Sequence, residues 1–294
     1  MSIVKGLSFA AVCTFLITYG GAALADDQAA PGGGPPPAGE GGEHLRLPVS
    51  VTERGITNPA LILSPVLDLG IVRAQLPNGL GGNISATGLV MDLGAGFSIT
   101  DDFGVRATPL ALAIPISPSG SPQYGGASFG ATYRFVKGDF ELGGAADVMI
   151  NTPSGASAGV SVSPSIPMRA HLGKVAALDI VPQVNITAGE GLKSAVAGMG
   201  IPVRFLYDVV EPVFHVGAQT GFLINDFSDA GHTIGIPLGF LAGYAVPGPN
   251  GPIVDIDAAF TWPELFVPGA PAGVNAVEAG LFVVGLEATG YLYL

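Results

Sequence analysis

Residues 124–151 read YGGASFGATYRFVKGDFELGGAADVMIN, and their phasing decides what fold this chain can adopt. Before Lys137-Gly138, Ala127, Phe129, Ala131, Tyr133 and Phe135 share one set of alternate positions, while Ser128, Gly130, Thr132 and Arg134 share the other. After it, Phe140, Leu142, Gly144, Ala146, Val148 and Ile150 oppose Glu141, Gly143, Asp147 and Asn151. A period of two belongs to a strand, whose successive side chains point to opposite faces. Two such runs around a tight turn predict an antiparallel hairpin with one apolar and one polar face. With Lys137-Gly138 as a two-residue turn, Arg134 lies opposite Glu141, and an ion pair crosses the strands.

The same phasing extends outward in both directions. Twelve runs are legible, near 60–74, 88–99, 103–115, 124–136, 139–151, 158–172, 174–188, 194–207, 211–224, 232–246, 252–263 and 277–293. Each could cross a membrane as a tilted strand, which takes about 9 to 11 residues. In the sixth run Val160, Val162, Ile166 and Met168 oppose Ser161, Ser163, Ser165, Arg169 and His171. Thirteen charges in these runs, Asp68, Asp92, Arg106, Arg134, Glu141, Asp147, Arg169, Asp179, Arg204, Glu211, Asp255, Asp257 and Glu287, fall on the polar faces. A charge facing hydrocarbon at mid-depth costs about 2 to 4 kcal/mol, so a membrane barrel demands this exclusion.

Composition agrees. Hydrophobic residues make up 48 %, charged residues only 12 %, and the mean hydropathy is +0.53. Uncharged stretches such as Val148 to Met168 are interrupted by Asn, Pro, Gly and Ser, so no membrane helix is predicted. A closed barrel is the other structure that satisfies every backbone group in lipid.

Lys5, an apolar stretch from Gly6 to Tyr19, and Ala23-Leu24-Ala25 before Asp26 predict an export signal cleaved after Ala25. The only cysteine, Cys13, falls within it, so the mature chain is expected to hold no disulfide. Removing Lys5 from the 11 basic residues leaves 10 against 23 acidic, a net charge of −13 that disfavours nucleic acid. Residues 27–43, with Gly32 to Gly34 and Pro35 to Pro37, read as a disordered tail. His44 to Asn58 reads as a periplasmic lead-in or one short extra strand, leaving 59–294 for the barrel.

Connections give an independent sign. Gaps after even-numbered runs are short, at Thr100 to Asp102, Lys137-Gly138, Gly173, Val209-Val210 and Pro247 to Gly251, while gaps after odd-numbered runs are mostly longer. Aromatic residues gather beside the short turns: Phe97, Phe103, Tyr133, Phe135, Phe140, Phe205, Tyr207, Phe214, Tyr244, Tyr291 and Tyr293, with a thinner set of Phe222, Trp262 and Phe266 towards the other end. Rings prefer the membrane interface. Against the pattern, Pro65, Pro109, Pro164, Pro167, Pro182, Pro202 and Pro237 lie within the runs, where each lacks a ladder donor and predicts a bulge or a break.

Leu286 to Leu294 resembles the C-terminal strand signal of Gram-negative outer-membrane β-barrels, although it ends Tyr291-Leu292-Tyr293-Leu294 where that family usually ends in Phe. The resemblance is architectural and covers about residues 59–294. It implies an all-β, antiparallel up-and-down transmembrane barrel of about twelve strands, an outer-membrane location, and the bilayer and the barrel assembly machinery as partners. Both termini are then periplasmic.

No catalytic constellation stands out, no cofactor is implied, and the reading is not that of an enzyme. His44, His171, His215 and His232 have no serine and acidic partner in matched register. Gly189-Glu190-Gly191-Leu192-Lys193-Ser194 lacks the strand-to-helix setting of a phosphate loop. Asn225, Asp226, Asp229 and His232 read as a solvated loop in preference to a cation site. The chemistry lies in the lumen, lined by Asp68, Asp92, Arg106, Arg134, Glu141, Asp147, Arg169, Asp179, Arg204, Asp255, Asp257 and Glu287. Arg106, Arg134, Arg169 and Arg204 are expected at similar depth as a basic belt, balanced by Glu141, Glu211, Asp255 and Asp257. Four positive and nine negative strand charges favour cations weakly in an open pore. A monomeric passive channel for small solutes is the first expectation. A non-conducting structural or surface-interaction barrel is the second, and a secreted soluble sandwich the third.

Overall fold

Alternating runs bounded by tight turns close into a barrel when the first strand meets the last, and that is the architecture found. The computed structural model describes residues 46–77, 83–151, 159–189, 195–229, 234–266 and 279–294. Its strands are β1 Ile62–Pro77, β2 Asn83–Thr100, β3 Phe103–Ser117, β4 Gln123–Val136, β5 Phe140–Asn151, β6 Gly159–Ser165, β7 Met168–His171, β8 Ala176–Ile180, β9 Gln183–Gly189, β10 Val196–Val210, β11 Phe214–Ile224, β12 Ile234–Gly248, β13 Gly251–Phe266, β14 Phe282–Gly290 and β15 Leu292–Tyr293. β5 pairs with both β6 and β7, β10 with both β8 and β9, and β1 with both β14 and β15. Each of these couples is one interrupted stave, so the wall has twelve staves, all antiparallel, closed where β1 meets β14.

The prolines account for the interruptions. Pro167 lies between β6 and β7, and Pro182 between β8 and β9. The β14–β15 break faces Pro65, since β1 pairs through Leu63 and Val66 but skips Ser64 and Pro65 on that side. Pro109 and Pro237 sit at register shifts in β3 and β12. A proline cannot donate but still accepts: the carbonyls of Pro167, Pro182 and Pro202 take hydrogen bonds from the N–H groups of Gly143, Ile166 and Val181 at 2.8, 2.9 and 3.0 Å. The wall therefore stays joined where its ladder is irregular.

The apolar alternate residues face outward. Phe129, Val148, Val160, Ile186, Phe240 and Val284 are all exposed on the barrel's exterior. Tyr133, Phe135, Phe140, Phe205, Tyr207 and Tyr244 are exposed beside the rim with the short turns, as expected of a girdle. Tyr291 is not part of it: it is 4 % exposed and points inward. Arg73, near the other rim, is an exposed charge on the outward register of β1. Glu211 lies in an exposed turn and not within a strand.

The connections alternate as the sequence suggests. At the rim shared with Arg46 and Leu294, Asp101-Asp102, Lys137–Asp139, Leu172–Val175, Glu211–Val213 and Pro249-Asn250 join the strands. Gly138, Gly173 and Gly251, all with positive φ, supply the left-handed conformation these turns need.

The lead-in is neither an extra strand nor, from Arg46 on, outside the barrel. It folds into the mouth at the short-turn rim, with one 3-10 turn at Val51–Glu53. Leu47, Ser50, Val51, Thr52, Arg54, Thr57 and Asn58 are all buried. Val51 packs on Leu206, Leu241 and Ala259 of the inner wall, and Leu47 on Ile62 and Tyr291. Burying each such apolar side chain contributes about 1.5 to 3 kcal/mol. The segment thus meets an apolar patch of the inner face beside charged groups that hold the rest of it.

Candidate functional site: the charged interior

All twelve expected lumen residues lie on the staves, and register decides which charges meet. On one side of the barrel Glu141, Arg169, Asp179 and Arg204 stand in direct register on four consecutive staves. Their signs alternate. Arg169 donates from Nε and Nη2 to the two oxygens of Asp179 at 2.5 and 2.7 Å, and Arg204 Nη2 donates to Asp179 Oδ2 at 2.9 Å. Arg134 closes the end of this set: Nη1 donates to Glu141 Oε1 at 3.1 Å and Nη2 to the Asp101 carbonyl at 2.8 Å.

The Arg134–Glu141 pair forms, but not by direct opposition. Arg134 is aligned with Gly143, because the register shifts between Arg134 and Val136 and the turn holds three residues. Arg134 also contacts Asp102 at 3.2 Å, an acid of the neighbouring turn.

Arg106 pairs elsewhere. Its Nε and Nη2 donate to Asp147 at 2.9 and 2.6 Å, across the intervening stave β4. The residue between them in register is Gly130, where a Cβ would overlap Asp147 Oδ1. The same device joins His215 Nε2 to Asp257 Oδ1 at 2.7 Å over Gly243. An added methyl group on Gly243 would strike both partners.

The expected balance of the belt is therefore revised. The arginines pair with Asp147 across one intervening stave, with Asp102 of a turn, and with Glu141 and Asp179 of adjacent staves. Asp255 is taken by Arg54 of the inserted segment, which also donates to Tyr291 Oη at 3.0 Å and to the Val49 carbonyl at 2.8 Å. The segment is pinned further by Ser50 and Thr52 on Asp208 Oδ2 at 2.5 and 2.6 Å. The Ile56 N–H donates to Glu141 Oε2 at 2.7 Å, and Arg169 Nη1 donates to the Arg54 carbonyl at 2.8 Å.

The second side of the interior has a different character. Asp208, His215, Gly243, Asp257, Glu287, Asp68 and Asp92 lie in direct register across seven consecutive staves, from β10 through β14 to β1 and β2. Five are acids and none is arginine or lysine. Thr289 Oγ1 donates to Glu287 Oε1 at 3.0 Å, and His215 holds Asp257. Asp68 has a carboxylate on either side, Asp92 and Glu287.

Between the segment and the wall lies a cavity of about 40 Å³, bounded by Thr57, Asn58, Arg106, Thr132, Arg169 and Asp179. Asn58 Oδ1 is buried without a hydrogen-bond partner among the described residues.

Sequence reasoning missed Arg54, Asp208 and the His215–Asp257 pair. Arg54 and Asp208 lay outside the runs, and His215 and Asp257 are matched only once two intervening registers are known. His171 Nδ1 lies 2.8 Å from the Thr52 carbonyl and its Nε2 is 3.9 Å from Glu141. Asn225 donates to Glu264 at 2.8 Å, and Asp226 accepts from Ser228. His44, His232 and Glu190 to Ser194 lie outside the described residues.

No family model and no curated protein matches the chain. Among solved structures it is similar in fold to the COG4313 outer membrane channel from Pseudomonas putida F1, with a TM-score of 0.57 and 14 % identity over 80 % of this chain and 96 % of that one. It is also similar to the NanC porin, with a TM-score of 0.51 and 9 % identity over 77 % of this chain and all of the other. The likeness is that of closed membrane barrels.

Proposed function

We propose that this protein is a non-enzymatic outer-membrane barrel that passes small solutes passively, with the twelve charged lumen residues along the route. Export by a signal cleaved after Ala25, insertion through the C-terminal strand and periplasmic termini belong to the same reading. The observation that carries it is the sidedness of the wall: hydrocarbon-compatible residues outside, and inside it charged groups, with a cavity of about 40 Å³ beside the inserted segment. The channel and porin functions of the two structural neighbours support it.

The inserted segment narrows the mouth, and it is the one observation that favours a non-conducting barrel. The two readings separate in planar bilayers. A channel gives discrete conductance steps, larger in Arg54→Ala, which loses the bonds to Asp255 and Tyr291. Protein that inserts but never conducts, with or without Arg54, overturns the channel reading.

A further inference from the structure

We propose that the carboxylate row Asp208, Asp257, Glu287, Asp68 and Asp92 is a binding track for linear polyammonium ions. It deepens the channel reading by naming a class of solute, and it rests on that reading only for transport, not for binding.

The row spans the inner face of seven consecutive staves with His215 and Gly243 between its acids. Directly paired residues on neighbouring strands have Cβ atoms about 4.5 to 5.5 Å apart, and like charges so placed destabilise the pair. On the opposite wall each arginine answers an acid in or near its own register. Here the near cation, Arg54, is engaged by Asp255 and Tyr291. Two carboxylate oxygens are buried without a hydrogen-bond partner among the described residues, Asp92 Oδ1 and Asp208 Oδ1. Asp208 is only 4 % exposed and faces the same interior as its cross-strand neighbour His215. A buried acceptor left unmet is costly, so both oxygens call for a donor from outside the protein.

The shape of the row selects the donor. Among the described residues no three of these acids converge as a metal cage requires. The carboxylates run in a line, each about one strand spacing from the next where staves are adjacent. A flexible chain carrying several ammonium groups a few ångströms apart matches a line of charges, where a compact ion meets at most a neighbouring pair.

Spermidine is the probe. Full-length mature protein in neutral detergent is heated with spermidine or with magnesium at matched ionic strength, and unfolding is followed by gel mobility. Spermidine should raise the unfolding temperature of the unaltered protein. In Asp68→Asn/Asp92→Asn the affinity should fall at least tenfold, while the ligand-free variant should unfold at a higher temperature because repulsion is gone. No shift in the unaltered protein, an equal shift in the variant, an equal shift with magnesium, or a variant less stable than its parent would overturn the proposal. Binding is read here without current, so a barrel that binds spermidine but never conducts refutes the channel reading alone.

Discussion

The two charged walls of this interior both carry acids but only one answers them with arginines, and they solve opposite problems. From β5 to β10 the signs alternate in register, Glu141, Arg169, Asp179 and Arg204, and each guanidinium meets a carboxylate. From β13 round to β2 the register brings acid beside acid, Asp257, Glu287, Asp68 and Asp92. The first arrangement stitches staves together where prolines interrupt the ladder. The second sets Asp68 beside Asp92 with no arginine or lysine in their register row, and a barrel selected for stability alone has no reason to keep that.

That contrast predicts unequal responses to similar substitutions. The largest effect belongs to the paired wall: Arg169→Met removes bonds to Asp179 and to the Arg54 carbonyl and leaves buried acids with fewer partners. Breaking a buried pair from one side costs about 3 to 5 kcal/mol, read as a lowered denaturant midpoint for unfolding. Asp68→Asn on the other wall should leave that midpoint unchanged or raise it. If both substitutions destabilise alike, the distinction between the walls is lost.

A smaller effect sharpens the comparison at its glycines. Gly130→Ala intrudes on Arg106–Asp147 and Gly243→Ala on His215–Asp257. Overpacking of this kind costs about 1 to 3 kcal/mol, and Gly138→Ala, in a turn with open space around it, reports the backbone strain of positive φ alone. The smallest effect is expected at the rim. Lys137→Ala removes an exposed contact with Asp102, worth about 0 to 1 kcal/mol, and should move the unfolding midpoint least.

Most of the wall was legible because period-two sidedness and turn spacing are local. All twelve runs correspond to staves, and the in-strand prolines fall at breaks, register shifts or skipped pairings, as the loss of a donor dictates. Pairing across the interior was less legible. Arg134 and Glu141 are seven residues apart and could be matched through their turn, whereas His215 and Asp257 are separated by a whole stave. The inserted segment was hidden for a different reason. Its residues from Arg46 to Leu61 have no strand alternation, and Leu206 and Leu241, which receive Val51, look from composition like lipid-facing residues. Tyr291 misleads in the same way, an aromatic near the rim whose hydroxyl serves Arg54 and Asp255 inside.

The measurement that bears most directly on the account is the reversal potential of single channels in a potassium chloride gradient, compared between the unaltered protein and Asp68→Asn/Asp92→Asn. The account predicts a potential on the cation-selective side that moves towards zero when the two acids are neutralised. A potential on the anion-selective side, or one that the substitutions leave in place, would contradict it.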